Sequence, residues 1–342
     1  MMAADHIDLR SDTVTHPTAA MLERMQCAPL GDDGREGDPT VRELETRSAA
    51  LTGKEAALFV PSGTMGNLLA LLAHCKPGAA ILADAGAHLL NSEIGSVTRI
   101  AGLVARPVPG HRGAMDEVAL EAAIRTDGRP GLIAMETTHN GAGGAALPLA
   151  HMARIHALGQ ANGLMVHLDG ARLFNAAVAL GVPAAHVAQH ADSLMFCVSK
   201  GLSAPVGSLL CGSAELIAKA RTLRKLVGGT MRQSGVVAAA GLVALETMIE
   251  RLQEDHAAAK RLADALTWLD PSLVDPDHVQ TNILRIDVST SGRDAAAWAE
   301  GMKQYGVLVQ PSGANQLRLV THRHIDAGAV DRTIAAFTAL RC

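Results

Sequence analysis

The feature that most constrains this chain is a series of short, nearly uncharged apolar runs. They lie at 56–60, 79–83, 101–106, 131–135, 163–168, 192–198 and 206–211. Between them lie amphipathic stretches at 64–75, 116–125, 147–161, 171–180 and 213–226. Strands that are apolar on both faces need cover on both faces, which predicts a mostly parallel seven-stranded sheet packed between helices. Such sheets bind ligands beyond the carboxyl ends of their strands. Beyond residue 232 the pattern changes. A long helical stretch is expected over roughly 232–267, then a compact α+β unit with strands near 282–288, 305–309 and 316–320 and helices near 293–302 and 325–339. The expectation is a large α/β domain over 1–248 and a smaller α+β domain over 249–342.

At 342 residues the chain can bury a large core without covalent staples. Its 48% hydrophobic and 19% charged residues exclude a disordered chain. A net charge of −4 argues against a nucleic-acid or polybasic membrane partner. The five cysteines (Cys27, Cys75, Cys197, Cys211 and Cys342) form no C-x-x-C pair, so neither a disulfide framework nor a zinc site is indicated. The acidic start MMAADHIDLRSD lacks an apolar signal region, and no run is long enough to span a bilayer. A cytoplasmic protein is expected.

Three segments carry chemistry, each at the end of an expected strand. In VPSGTMGN (Val60–Asn67), Gly63, Ser62 and Thr64 open a helix whose free amides can cradle a phosphate. The same string also reads as an ordinary strand-to-helix turn. In HLDGARLFNA, from His167, Asp169 closes an apolar strand. A carboxylate there needs a cationic partner such as a protonated pyridine ring, unless it only caps the next helix. In DSLMFCVSKGLSAPVGS (Asp192–Ser208), Lys200 ends a strand among small polar residues. It is either an amine poised to attack a carbonyl or a side chain reaching for solvent. Together, phosphate loop, acid and lysine form the pattern of a pyridoxal phosphate site.

On these strings, with GGTMRQSG (Gly228–Gly235), the chain resembles the low-specificity L-threonine aldolases, fold type I enzymes of the aspartate-aminotransferase-like class. The likeness runs from DLRSDTVT (Asp8–Thr15) to LRLVTH (Leu317–His322). It implies retro-aldol cleavage of L-β-hydroxy-α-amino acids to glycine and an aldehyde, in homotetramers built from dimers with shared sites. It also implies roles. Lys200 holds pyridoxal phosphate, Asp169 its ring nitrogen, and Gly63 and Thr64 its phosphate, which Arg232 reaches from a neighbouring subunit. Ser11, Arg172 and Arg318 hold the substrate carboxylate, with Arg172 also beside the cofactor. His88 stacks on the ring and Glu93 follows it. His88 serves as stacking platform, as general base for the β-hydroxyl, or as both. No metal is implied. Arg172 taken alone could instead pair with an acid, and Arg10 reads as a surface cation.

Two strings depart from the family. GDDGREGDPT (Gly31–Thr40) carries Arg35 where a tyrosine is usual, which favours an acidic or polar substrate side chain or simply points to solvent. TDGRPGL (Thr126–Leu132) lacks a histidine common in that loop. Aromatic residues are few, and before Lys200 the only ones are Phe59, Phe174 and Phe196; a ring partner from this part of the chain is thus most readily His88. Other readings of the same scaffold are a β-eliminating lyase, racemase or transaminase, or a non-catalytic pyridoxal phosphate carrier.

Overall fold

A computed structural model describes residues 6–126 and 130–341. Of the loop at 126–132, residues 127–129 lie outside the described residues, as does Cys342. The central sheet has seven strands: β1 (Ala56–Val60), β2 (Ala80–Asp84), β3 (Val104–Val108), β4 (Pro130–Glu136), β5 (Met165–Asp169), β6 (Ser193–Cys197) and β7 (Ser208–Gly212). Their spatial order is β1-β7-β6-β5-β4-β2-β3. The pairings from β6 through β3 are parallel, while β7 runs antiparallel to both of its neighbours. β2, β6 and β7 are buried along their whole length, as their apolar runs require.

The strand expected at 101–106 is displaced to 104–108. It lies at the sheet edge, where Pro107 needs no ladder partner for its missing N–H, so the strand continues through a residue that would end an inner one.

Two helices carried no apolar signal strong enough to place them from sequence: Ala19–Gln26 and Pro39–Thr52. The second is set by its cap. Asp38 accepts from the amides of Thr40 and Val41, Pro39 occupies the first turn, and Gly53 ends the helix with φ +66°. The helix after β1, Gly63–His74, is capped by Ser62, whose hydroxyl accepts from the Met65 amide at 3.2 Å. Its packing explains Gly66. A Cβ there would stand 2.6 Å from Cγ of Met195 on β6.

The single long helix expected at 232–267 is two helices, Gly235–Thr247 and Leu252–Leu269. No Pro or Gly marks the break. It arises because Met248 and Leu252 pack into the core around the large sheet, whereas Ala259, Leu262 and Leu266 pack into a second core. One straight rod cannot serve both. The second core surrounds a three-stranded antiparallel sheet of β8 (Ile283–Asp287), β9 (Gln310–Pro311) and β10 (Gln316–Val320) in the order β8-β10-β9. The N-terminal segment belongs with this second core, although the sequence grouped it with the first. Ile7 and Leu9 are buried there, residues 7–8 pair in parallel with 307–308, and the Leu9 carbonyl accepts from the Val320 amide. Residues 11–15 therefore pass directly over the ends of the central strands.

Gly66→Ala is expected to destabilise the protein by about 1–3 kcal/mol through overpacking against Met195. A lower urea midpoint at unchanged slope checks this; an unaltered midpoint contradicts it.

Candidate active site

A cavity of about 550 Å³ opens at the carboxyl ends of β4, β5 and β6. Its lining includes Ser11, Gly63, Thr64, His88, Asp169, Arg172, Lys200 and Arg318, so eight sequence-predicted site residues meet in one place. Arg35 and Arg232 do not. Both are on the surface, with side chains 78% and 70% exposed, and both face Asp32, at 3.8 and 3.7 Å.

Asp169 is the last residue of β5 and is buried. Its carboxylate accepts from Asn67 Nδ2 at 2.9 Å and from the Ala171 amide at 3.1 Å. It therefore closes the turn after its strand rather than capping the following helix, which begins at Leu173. Burial, reinforced by the nearby Glu136 and Glu93 carboxylates, pushes its pKa up to about 6, against the opposing pull of Lys200 and Asn67. Such a group gains from a cation at its free edge.

Lys200 follows β6, in a turn that returns to β7. Its carbonyl is held by the Thr15 hydroxyl at 2.9 Å and by the Ser203 amide at 2.8 Å. Ser203 is buried with φ +65°, a conformation costly for a side-chain-bearing residue and the means by which this tight turn is made. Among the described residues, none hydrogen-bonds the Lys200 amine.

On the other side, Ser62 caps Met65, leaving the Gly63 and Thr64 amides at the head of the helix. A Cβ at Gly63 would lie 2.9 Å from Cys197 Sγ, so the glycine lets the helix head sit against β6.

His88 lines the cavity with its ring half exposed, and no Phe, Trp or Tyr accompanies it among the described lining residues. Phe59, Phe174 and Phe196 are buried in the large core. Two carboxylates fix His88. Glu93 Oε1 lies 2.9 Å from Nδ1, and Glu136 Oε2 accepts from the backbone amide at 2.6 Å. The Glu93 hydrogen bond, assisted by Asp169, Glu93 and Glu136 charge and opposed by burial, raises the imidazole pKa. Glu136 also accepts from the Asn140 amide, at 2.7 Å. The last residue of β4, Glu136, thus contributes a carboxylate that no spacing argument singles out.

Arg172 is more committed than the sequence suggested. It is fully engaged on one edge by Asp12, with Nε and Nη2 each 2.7 Å from a carboxylate oxygen. Burial disfavours the charge on Asp12, but Arg172 overrides it and holds the carboxyl well below the usual range. Asn282 adds a further donor to Asp12 at 3.3 Å. Asp12 stands 160 residues from Arg172, and nothing local in the sequence pairs them. Arg318, on β10, is the complementary case. Its Nε is buried with no partner among the described residues, and Nη1 reaches only the Arg10 carbonyl at 3.3 Å. Burial and the neighbouring Arg172 lower its pKa to about 10. A guanidinium with an unpaired Nε in a cavity lining suits an incoming carboxylate. Ser11 lies on the same wall, its Oγ accepting from the Thr13 hydroxyl at 2.9 Å. Arg10 is a surface cation, paired with Asp8 at 2.6 Å.

A buried acid, an unengaged amine and a helix head around one cavity fit pyridoxal phosphate, and together with this sheet they define a pyridoxal phosphate-dependent enzyme of fold type I. The beta-eliminating lyase family model matches residues 8–289. A probable low-specificity L-threonine aldolase 2 of Arabidopsis thaliana is 41% identical over 340 residues, covering 97% of this chain and 96% of its own. The low specificity L-threonine aldolase of Escherichia coli strain K12 is 42% identical over 323 residues, covering 92% and 93%. Among solved structures, a threonine aldolase of Leishmania major superposes with a TM-score of 0.81 at 19% identity, over 98% of this chain and 100% of that one. The chain belongs to the beta-eliminating lyase family, alongside the low-specificity L-threonine aldolases.

Asp12→Ala leaves the Arg172 charge buried without its partner and is expected to cost about 3–5 kcal/mol of stability. Thermal or urea unfolding checks this, and a loss below 1 kcal/mol contradicts it.

Proposed function

We propose that this protein cleaves L-β-hydroxy-α-amino acids of the threonine, allo-threonine and phenylserine type to glycine and an aldehyde. The observation that carries the reading is the buried Arg318 Nε, without a partner among the described residues, on a side chain that lines the same cavity as Asp169 and Lys200. A carrier of the cofactor has no use for that second, anion-ready wall.

In this reading Lys200 holds the cofactor aldehyde, Asp169 its ring N–H and the Gly63–Thr64 amides its phosphate. Bound there, pyridoxal phosphate supplies an electron sink for the pair released when Cα–Cβ breaks. The chain's residues set orientation and move protons. Arg318, Ser11 and the free edge of Arg172 grip the substrate carboxylate, which fixes the torsion about Cα so that the scissile bond stands across the ring plane. His88 accepts the β-hydroxyl proton at Nε2, because Nδ1 is held by Glu93.

Arg35 and Arg232 share Asp32 at the surface, away from the chain's own cavity. That position supports a homotetramer in which this patch completes a neighbouring subunit's site, Arg232 toward the phosphate and Arg35 toward the substrate side chain. No helix among the described residues is long and apolar enough to cross a membrane, and we assign the protein to the cytoplasm. We divide it into two domains at the helix break at 248–251, with residues 7–9 grouped with the C-terminal unit.

Aldehyde release from L-threonine, L-allo-threonine and phenylserine tests the proposal, with one glycine formed per aldehyde. Turnover of other amino acids with no aldehyde from these three would overturn it. Lys200→Ala is expected to remove the near-visible absorption band of the bound cofactor, and a persisting band would misassign the lysine.

His88 must be neutral to act as a base, so the rate rises as pH rises through its pKa. Since Glu93 raises that pKa, the acid limb of kcat/KM is expected above the ordinary imidazole value of 6.5. Glu93→Gln is expected to move the limb to lower pH. A limb that does not move leaves His88 with stacking alone.

A further inference from the structure

Behind Asp169 runs a line of buried polar side chains that the cleavage reaction does not itself require. Asn67 Nδ2 is 2.9 Å from Asp169 Oδ2, and Asn67 Oδ1 is 3.1 Å from His167 Nε2. His167 Nδ1 is 2.8 Å from Ser193 Oγ, which is itself 2.8 Å from His74 Nε2. Asn67, His167 and Ser193 are fully buried. The line follows from two periodicities. Asn67 and His74 lie seven residues apart on one face of the helix after β1, while His167 and Asp169 lie two apart on one face of β5. Ser193, in register with His167 on β6, bridges them.

With both rings neutral, the contacts of Asn67 set one direction for the line. The Asn67 nitrogen must face Asp169, because that side of the amide also faces both Glu93 oxygens at 3.4–3.5 Å. Its oxygen is then a pure acceptor, so His167 Nε2 carries a proton. Burial pushes the pKa of His167 down to about 3 and that of His74 down to about 4, so each ring is neutral and carries one N–H. His167 Nδ1 is consequently bare and accepts the Ser193 hydroxyl proton, and Ser193 Oγ accepts from His74 Nε2–H.

We propose that His74, Ser193, His167 and Asn67 form a one-way chain of donors that ends on Asp169 and keeps its carboxylate an acceptor aimed into the cavity. The proposal rests on the assignment of Asp169 to the cofactor ring nitrogen. His167, Ser193 and His74 are positioning residues, acting through Asn67. Reversing the Asn67 link would present Asp169 with an oxygen lone pair, which disfavours its ionised form.

The direct test is 15N NMR of histidine-labelled protein, with and without pyridoxal phosphate, using His167→Gln to assign the signal. The expected spectrum shows His167 neutral at pH 7, with Nε2 protonated and Nδ1 bare. The opposite tautomer, or a doubly protonated ring, overturns the chain. This readout needs no turnover, so it remains decisive if the aldolase reading fails. In the holoenzyme, His167→Met is expected to lower kcat about tenfold at unchanged KM. His167→Gln, whose amide restores a donor toward Asn67, is expected to recover most of it. Wild-type kcat in the Met variant, or equal losses in both, overturns the positioning role. Should the Met variant not fold, the tautomer of the unsubstituted protein decides.

Discussion

A carboxylate at the inner end of a strand buried on both faces loses several kcal/mol of hydration unless donors or a cation replace the water. Asp169 is that carboxylate, and the arrangement around it follows from the debt. Asn67 reaches it from the helix after β1, which Gly63 and Gly66 allow to lie close against Met195 and Cys197 of β6. The Ala171 amide closes the turn on its other oxygen. Two further buried carboxylates, Glu93 and Glu136, make its ionisation harder still and are themselves occupied in holding His88. The site is therefore built around a group that gains from a positively charged ring nitrogen, and the cofactor chemistry grows from that need.

The second dependence is on the N-terminal segment. By pairing residues 7–8 with 307–308, the chain carries Ser11 and Asp12 across to the ends of the central strands. Asp12 then neutralises one edge of Arg172, and Arg318 arrives on β10 with its own Nε unpaired. Two arginines near one another are thus differentiated. One is held by a carboxylate of the protein, and the other keeps an Nε without a partner among the described residues. Ser11, Thr13 and Arg318 therefore line the same cavity as Asp169 and Lys200 at the ends of the central strands.

Much of this was legible in the sequence because burial on both faces leaves a strong signal. The seven apolar runs mark the seven strands of the large sheet, within a few residues, and the three strand-end motifs fall around one cavity. What was not legible depended on distance or on geometry. Asp12 and Arg172 have no local pattern. The helix break at 248–251 contains neither Pro nor Gly and is imposed by two cores pulling in different directions. Helix Pro39–Thr52 is set by its capping residues more than by an apolar stripe. Arg35 and Arg232 carried a sequence signature of the site, yet lie outside the cavity of their own chain. The donor line behind Asp169 was in principle readable, from the seven-residue spacing of Asn67 and His74 and the two-residue spacing of His167 and Asp169. Reading it required knowing that this helix packs on these strands.

The account stands on Asp169 holding a protonated ring nitrogen. The most direct measurement is the 15N chemical shift of ring-labelled pyridoxal phosphate bound to the protein at neutral pH. The account predicts a protonated nitrogen in the unsubstituted protein and a nitrogen that has lost its proton in Asp169→Ala. An unprotonated nitrogen in the unsubstituted protein, or the same protonated signal in both, would contradict it.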